Sequence, residues 1–303
     1  MKNIYIFCIL MLISMGCTTK MEGPEQQVNK FRGTIEETQT KTYLDHLIRL
    51  RWTEDDRITI FEGITRNKQY KFLGKTGDNA GDFEFISQGF GTGNQMTRHY
   101  AVYPYSSSTK LNEDGYITYT FPSTQNYAEG SVGLGANPMV AITADLNDMD
   151  LLFRNIGSFL RVSLYGTDQT VGSIVLTTNN GKAIAGPCKV TPAYGANPTC
   201  ETTGTLSSVT LNCTPGITIG STEAEATSFW IVIPPLTMEE GLTLTVNGFY
   251  GGSQTYTINS SIEFIRNQYK TMTRELSIPS SNGNNMGVDG WGSNGNDNGG
   301  TAE

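Results

Sequence analysis

Histidine is almost missing from this 303-residue chain: His46 and His99 are the only two, and they stand far apart. No Gly-x-Ser-x-Gly elbow or phosphate-cradling loop accompanies them, and Gly89 to Gly93 form a lone glycine-rich turn without the strand-to-helix setting of a nucleotide site. Nucleophilic and phosphoryl-transfer chemistry therefore lack their usual groups, and both histidines are expected at the surface. Charge is also scarce, at 17% of residues, and Lys and Arg are dispersed. A net charge of -8 with no basic cluster gives phosphate backbones nothing to bind, which excludes nucleic acid as a partner. Neither a Cys-x-x-Cys pair nor a histidine beside a cysteine is present, so no metal or other cofactor is expected. Paired carboxylates from distant parts of the chain remain open, but no residue singles itself out as catalytic.

Apolar runs of membrane-spanning length are lacking too. The longest, Ile4 to Ile13, follows Lys2 and leads through Ser14-Met15-Gly16 into Cys17. It is too short to cross a bilayer and has the form of an export signal. A cysteine after a small residue at that place resembles the bacterial lipobox. Residues 1–16 are expected to be removed and Cys17 to be acylated, each buried CH₂ contributing ~0.8 kcal/mol to membrane binding. The alternative is an ordinary signal with Cys17 incidental. Loss of Lys2 leaves 20 basic against 29 acidic groups. Residues 17–27 are polar, contain Gly23-Pro24, and suit a tether.

What the chain does contain is glycine, at 34 residues, with abundant Thr, Ser and Asn, the profile of an extracytoplasmic β protein. Period-two segments recur. Phe31, Gly33 and Ile35 alternate with Arg32 and Thr34; Ile117, Tyr119 and Phe121 with two threonines; Leu160, Val162 and Leu164 with Arg161 and Ser163. Phe229 to Ile233 is apolar throughout and stops at Pro234-Pro235, which predicts a central strand buried on both faces. Hairpin signals stand at Asp114-Gly115, Asn180-Gly181 and Asn247-Gly248. One modest helix candidate lies at Leu151 to Ser158. The expected fold is all-β, with two tandem antiparallel sandwiches at 28–148 and 149–278 and a flexible Gly/Asn/Ser-rich tail at 279–303. With Cys8 in the signal, Cys188, Cys200 and Cys213 remain. One disulfide plus one buried thiol is expected, with the pairing left open.

Several patterns occur in a recognisable order. Thr40-Lys41-Thr42 precedes Leu50-Arg51-Trp52-Thr53-Glu54-Asp55-Asp56-Arg57-Ile58. Tyr103-Pro104-Tyr105, Phe121-Pro122 with Gln125 and Tyr127, Pro138-Met139-Val140-Ala141 and Leu152-Phe153-Arg154-Asn155 follow. With the lipobox, this series resembles the fimbrillin family, the lipoprotein-derived pilus subunits and adhesins of Bacteroides-type bacteria. Each motif also has a structural reading: Trp52 in a core, Asp56 in a turn, and Tyr103-Pro104-Tyr105 as an edge strand bent by its proline.

The resemblance implies Greek-key, transthyretin-like sandwiches and no enzymatic activity. It implies a precursor anchored by lipid in the outer membrane at the cell surface, from which a trypsin-like protease removes an N-terminal strand so that another fimbrial subunit can donate one. The removable strand would be the one carrying Phe31, Gly33 and Ile35, and the candidate cleavage residues are Lys41, Arg49 and Arg51. The bland alternative makes these ordinary surface bases beside an intact strand pair. In the tail, Met286 and Val288 are in phase but Trp291 is not, and glycines weaken a strand. Such a poor donor points to a tip or accessory adhesin meeting a host or bacterial receptor. The rival reading is a surface-exposed glycan-binding outer-membrane lipoprotein, which would display coplanar exposed aromatics.

Overall fold

The computed structural model describes residues 30–36, 50–89 and 93–279. Apart from one 3-10 turn at Glu223–Glu225, the regular elements among the described residues are strands, as the all-β expectation requires. The first ten are β1 (Phe31–Ile35), β2 (Arg57–Ile64), β3 (Lys68–Phe72), β4 (Ala80–Gln88), β5 (Gln95–Tyr103), β6 (Lys110–Leu111), β7 (Ile117–Phe121), β8 (Thr124–Asn126), β9 (Met139–Ile142) and β10 (Asp150–Asn155). Seven of them close into a barrel in the order β1-β10-β9-β5-β2-β3-β4. The expected first sandwich is therefore a closed sheet, which leaves no free strand edge around its circumference. Aromatic side chains fill the interior: Phe31, Trp52, Tyr70, Phe72, Phe83 and Phe153 are all buried there, each stabilising by roughly 3 kcal/mol. Across Gly63 the β2–β5 register shifts by two residues, with three β5 residues opposite one of β2, and the φ of +70° at Gly63 explains the glycine there.

The remaining strands are β11 (Ser158–Tyr165), β12 (Thr170–Thr178), β13 (Gly186–Thr191), β14 (Thr199–Thr202), β15 (Ser208–Thr218), β16 (Thr227–Ile233), β17 (Leu236–Met238), β18 (Leu242–Gly248), β19 (Ser253–Ile258), β20 (Ile262–Phe264) and β21 (Tyr269–Glu275). One sheet runs β19-β18-β12-β15-β8 and another β16-β11-β21. Their inward side chains, among them Val162, Ile174, Leu211, Phe229, Ile231 and Leu244, share one core. A third sheet, β14-β13-β7-β6, joins strands from both halves of the sequence. It contributes Ile117, Tyr119, Phe121 and Val190 to a middle cluster with Phe61 and Val102 from the barrel and Phe159, Trp230 and Val232 from β11 and β16.

Several local expectations need correction. Residues 150–155 form a strand where a helix was the candidate, because Leu151, Phe153 and Asn155 alternate inward against solvent-facing neighbours. Strand β10, just past the expected divide between residues 148 and 149, pairs into the barrel with β1 and β9, while β7 and β8, before that point, pair with β13 and β15. Three pairs are parallel rather than antiparallel: β1 with β10, β11 with β21, and β8 with β15. Strand β16 is buried on both faces as expected, yet among the described residues it pairs only with β11 and so lies at a sheet edge. Likewise Tyr103 ends β5, which is flanked by β2 and β9 and is no edge strand.

Asp114-Gly115 does turn β6 into β7, with Gly115 at φ +78°. Asn180-Gly181 instead links β12 to β13, which lie in different sheets, and the β18–β19 turn falls at 249–252, beyond Asn247-Gly248. Cys188, Cys200 and Cys213 are all free thiols, so the expected disulfide is not formed. Burial pushes the Cys213 thiol up to about 12, and Cys188 is raised by its hydrogen bond to Cys200 and by burial. His99, expected at the surface, is 5% exposed and its Nε2 lies 3.0 Å from the Leu146 carbonyl.

Candidate functional site

Strand β1 is the element on which the strand-removal expectation turns. Its alternation places Phe31, Gly33 and Ile35 inward and Arg32 and Thr34 outward. On one side Arg32 to Ile35 pair in parallel with Asp150 to Phe153; on the other Phe31 to Thr34 pair antiparallel with Phe83 to Ala80. These five residues thus complete the hydrogen bonding of two neighbours at once. Without them β4 and β10 face each other across an open slot with bare N–H and C=O groups.

The slot's floor is aromatic. The Phe31 ring meets Tyr70 edge-on at 5.4 Å between centroids and His99 at 5.0 Å. Trp52 contacts Phe83 and Phe153 at 5.1 Å each and Tyr103 at 5.5 Å. Between Phe31 and Ile35 the floor rises against the backbone: a Cβ at Gly33 would lie 2.5 Å from Phe83 Cε2 and 3.1 Å from Phe153 Cε2. Glycine is there because the rings occupy the volume any other side chain would need.

The two ends of the slot are polar. Trp52 lies in the core and Asp56 closes the turn at Glu54-Asp55, as the sequence motif suggested. Asp56 Oδ2 accepts from the Thr53 N–H at 2.7 Å and Oδ1 from the Tyr103 hydroxyl at 3.1 Å. Burial raises the Asp56 carboxyl despite these two donors, and burial together with Asp56 raises the Tyr103 phenol. Arg51, a candidate cleavage residue, donates from Nη1 to Asn79 Oδ1, while Asn79 Nδ2 donates to the Ile35 carbonyl at 3.3 Å. The Trp52 backbone is bonded to Asp78 and Gly77, so a protease reaches the peptide after Arg51 only once those bonds open. Cys17, Lys41 and Arg49 lie outside the described residues.

Just past β1, the Glu36 carboxylate gathers groups from distant parts of the chain. Oε1 accepts from Arg266 Nη1 at 2.5 Å and from the Asn155 N–H at 2.7 Å, and Oε2 lies 3.5 Å from Arg154 Nη1. Arg266 also donates to the Asn155 carbonyl and to Asn197 Oδ1, each at 2.8 Å. Neither Glu36 nor Arg266 carries a role that the sequence alone assigns. No local signal marks them, since the two residues are separated by 230 positions.

Large exposed aromatics among the described residues include Phe249 and Tyr250 at the β18–β19 turn. Their rings stand at 82° to each other and offer no flat platform, and Trp52 and Trp230 are both in cores.

No family model matches the sequence, and no curated protein does. Solved structures are similar in arrangement at low identity. A candidate cell adhesion protein of Bacteroides uniformis matches with a TM-score of 0.48 and 14% identity, over 84% of this chain and 94% of its own. Another from Bacteroides ovatus gives 0.47 and 15%, over 81% and 91%. A fimbrial protein of Bacteroides ovatus gives 0.37 and 12%, over 82% of this chain and 50% of its own.

Proposed function

We propose that this chain is a fimbrillin-like fimbrial subunit, in a tip or accessory position, exported as a lipoprotein through Cys17 and assembled by replacement of β1. The observation that carries the reading is the placement of β1: a short N-terminal strand that completes both neighbours of a closed sheet and whose inward side chains cap an aromatic trough. Cleavage after Lys41, Arg49 or Arg51 severs its covalent link to the rest of the barrel. A donated strand then restores the backbone pairing and reburies the trough, which is the physical logic of strand addition. The tip assignment rests on the tail, whose residues 280–303 lie outside the described residues and are poor in alternating apolar positions. The glycan-binding alternative has less support, because among the described residues Trp52 and Trp230 are buried and the neighbouring exposed rings of Phe249 and Tyr250 stand perpendicular.

Mass spectrometry of assembled surface material tests the reading. New N-termini at residue 42, 50 or 52 are expected. Material that retains Cys17 as its N-terminus throughout would overturn strand replacement and favour a permanent surface lipoprotein.

A further inference from the structure

The Glu36 contacts say more than that β1 fits its slot. They describe what any occupant of that slot must carry at its end. Arg266 is held in place independently of Glu36 by the Asn155 carbonyl and Asn197 Oδ1, and Arg154 belongs to β10 beside the slot. The side chains of Arg266 and Arg154 are only 17% and 23% exposed. When β1 leaves, Glu36 leaves with it, and two half-buried guanidinium groups and the Asn155 N–H lose their shared acceptor. Among the described residues, Glu36 is the carboxylate that faces this pair; the other side chains there, Asn155, Asn197 and Asn267, are neutral amides. A guanidinium fork is preorganised for a carboxylate, and leaving it without one strands a poorly hydrated charge.

We propose that the β1 slot selects its incoming strand by a carboxylate placed one residue beyond the last buried apolar side chain and by a glycine at the middle inward position. The inference rests on the strand-replacement reading and adds the chemistry of the partner: large apolar, any, glycine, any, apolar, then Asp or Glu. The glycine requirement follows from the 2.5 Å approach of Phe83 to a Cβ at that position. The acid requirement follows from Arg154 and Arg266. The chain's own tail does not meet the pattern. Aligning Val288-Asp289 with Ile35-Glu36 puts Met286 where glycine is needed and Asn284 where Phe31 sits. Copies of this chain should therefore not fill one another's slots with that segment.

The test uses the full chain with a site-specific protease sequence inserted between Glu36 and Leu50, cut after folding, and fluorescent C-terminally amidated peptides of residues 28–36. Uptake is followed by fluorescence anisotropy. The unaltered peptide is expected to exchange into the slot, and its Glu36→Gln form to dissociate roughly tenfold faster, the scale of one charge-assisted hydrogen-bonded contact. That difference should shrink to about twofold or less in protein carrying Arg154→Gln and Arg266→Gln, as a double-mutant cycle requires for a direct interaction. The Gly33→Leu peptide and a peptide of residues 281–291 should not enter. Equal retention of the Glu and Gln peptides in the unaltered protein overturns the carboxylate rule, a comparison that stands even if the double-arginine variant does not fold. Entry of the Gly33→Leu or tail peptide overturns the glycine rule. Failure of the unaltered peptide to enter removes strand replacement itself, and selection with it.

Discussion

The Gln125 side-chain amide spans the peptide of Val232, donating to its carbonyl at 2.6 Å and accepting from its N–H at 2.9 Å. It supplies what a neighbouring strand would otherwise give. Strand β16 can therefore sit at a sheet edge while its side chains enter two cores, Phe229, Ile231 and Ile233 on one face and Trp230 and Val232 on the other. Gln125→Ala leaves both backbone groups buried without a partner and is expected to cost roughly 2–4 kcal/mol of stability. Urea denaturation monitored by tryptophan fluorescence measures it. A loss under about 0.5 kcal/mol would mean that another group takes over the bond.

Gly33 gives a second, steric prediction. Placing a methyl group against Phe83 and Phe153 in a filled barrel forces the rings or the strand to move, so Gly33→Ala should destabilise by roughly 1–3 kcal/mol. Gly33 is not among the glycines in the left-handed region, so ring crowding and not backbone strain sets this cost. If Gly33→Ala melts at the wild-type temperature, ring crowding at position 33 is not the constraint.

Asp56 makes stability depend on pH. Its carboxyl is raised mainly by burial, so the folded protein binds that proton more tightly than the unfolded chain. Its contribution is fully present below the ordinary carboxylate pKa of about 4 and is lost as pH rises through the raised value. Asp56→Asn keeps the shape without the titration. The stability of the wild type relative to this variant should fall in denaturation curves as pH rises above the ordinary carboxylate range of about 4. A difference that stays flat or grows with pH contradicts the burial account.

Acylation at Cys17 is checked by metabolic labelling with a fatty-acid analogue. The wild type should take up label and remain with membranes, and Cys17→Ala should do neither. One acyl chain holds a protein only marginally, so stable retention requires more than one. Equal labelling of both proteins would end the lipoprotein reading.

Much of the local structure follows from the order of residues alone. The period-two pattern of Phe31, Gly33 and Ile35, the burial of Trp52, and the turn at Asp56 depend on near neighbours in the chain and are legible from them. So is the all-β class, which the alternation and the turn residues require together. What only the folded chain decides is which strand lies beside which. Alternation says that a strand has an inner face but not who completes its hydrogen bonds, so the closing of the barrel, the parallel pairing of β1 with β10 and the edge position of β16 carry no local mark. The same holds for two long-range pairs. Gln125 and Val232 are 107 residues apart and Glu36 and Arg266 are 230 apart, and their partnership arises from the stacking of whole sheets, an outcome of long-range packing that no window of sequence contains.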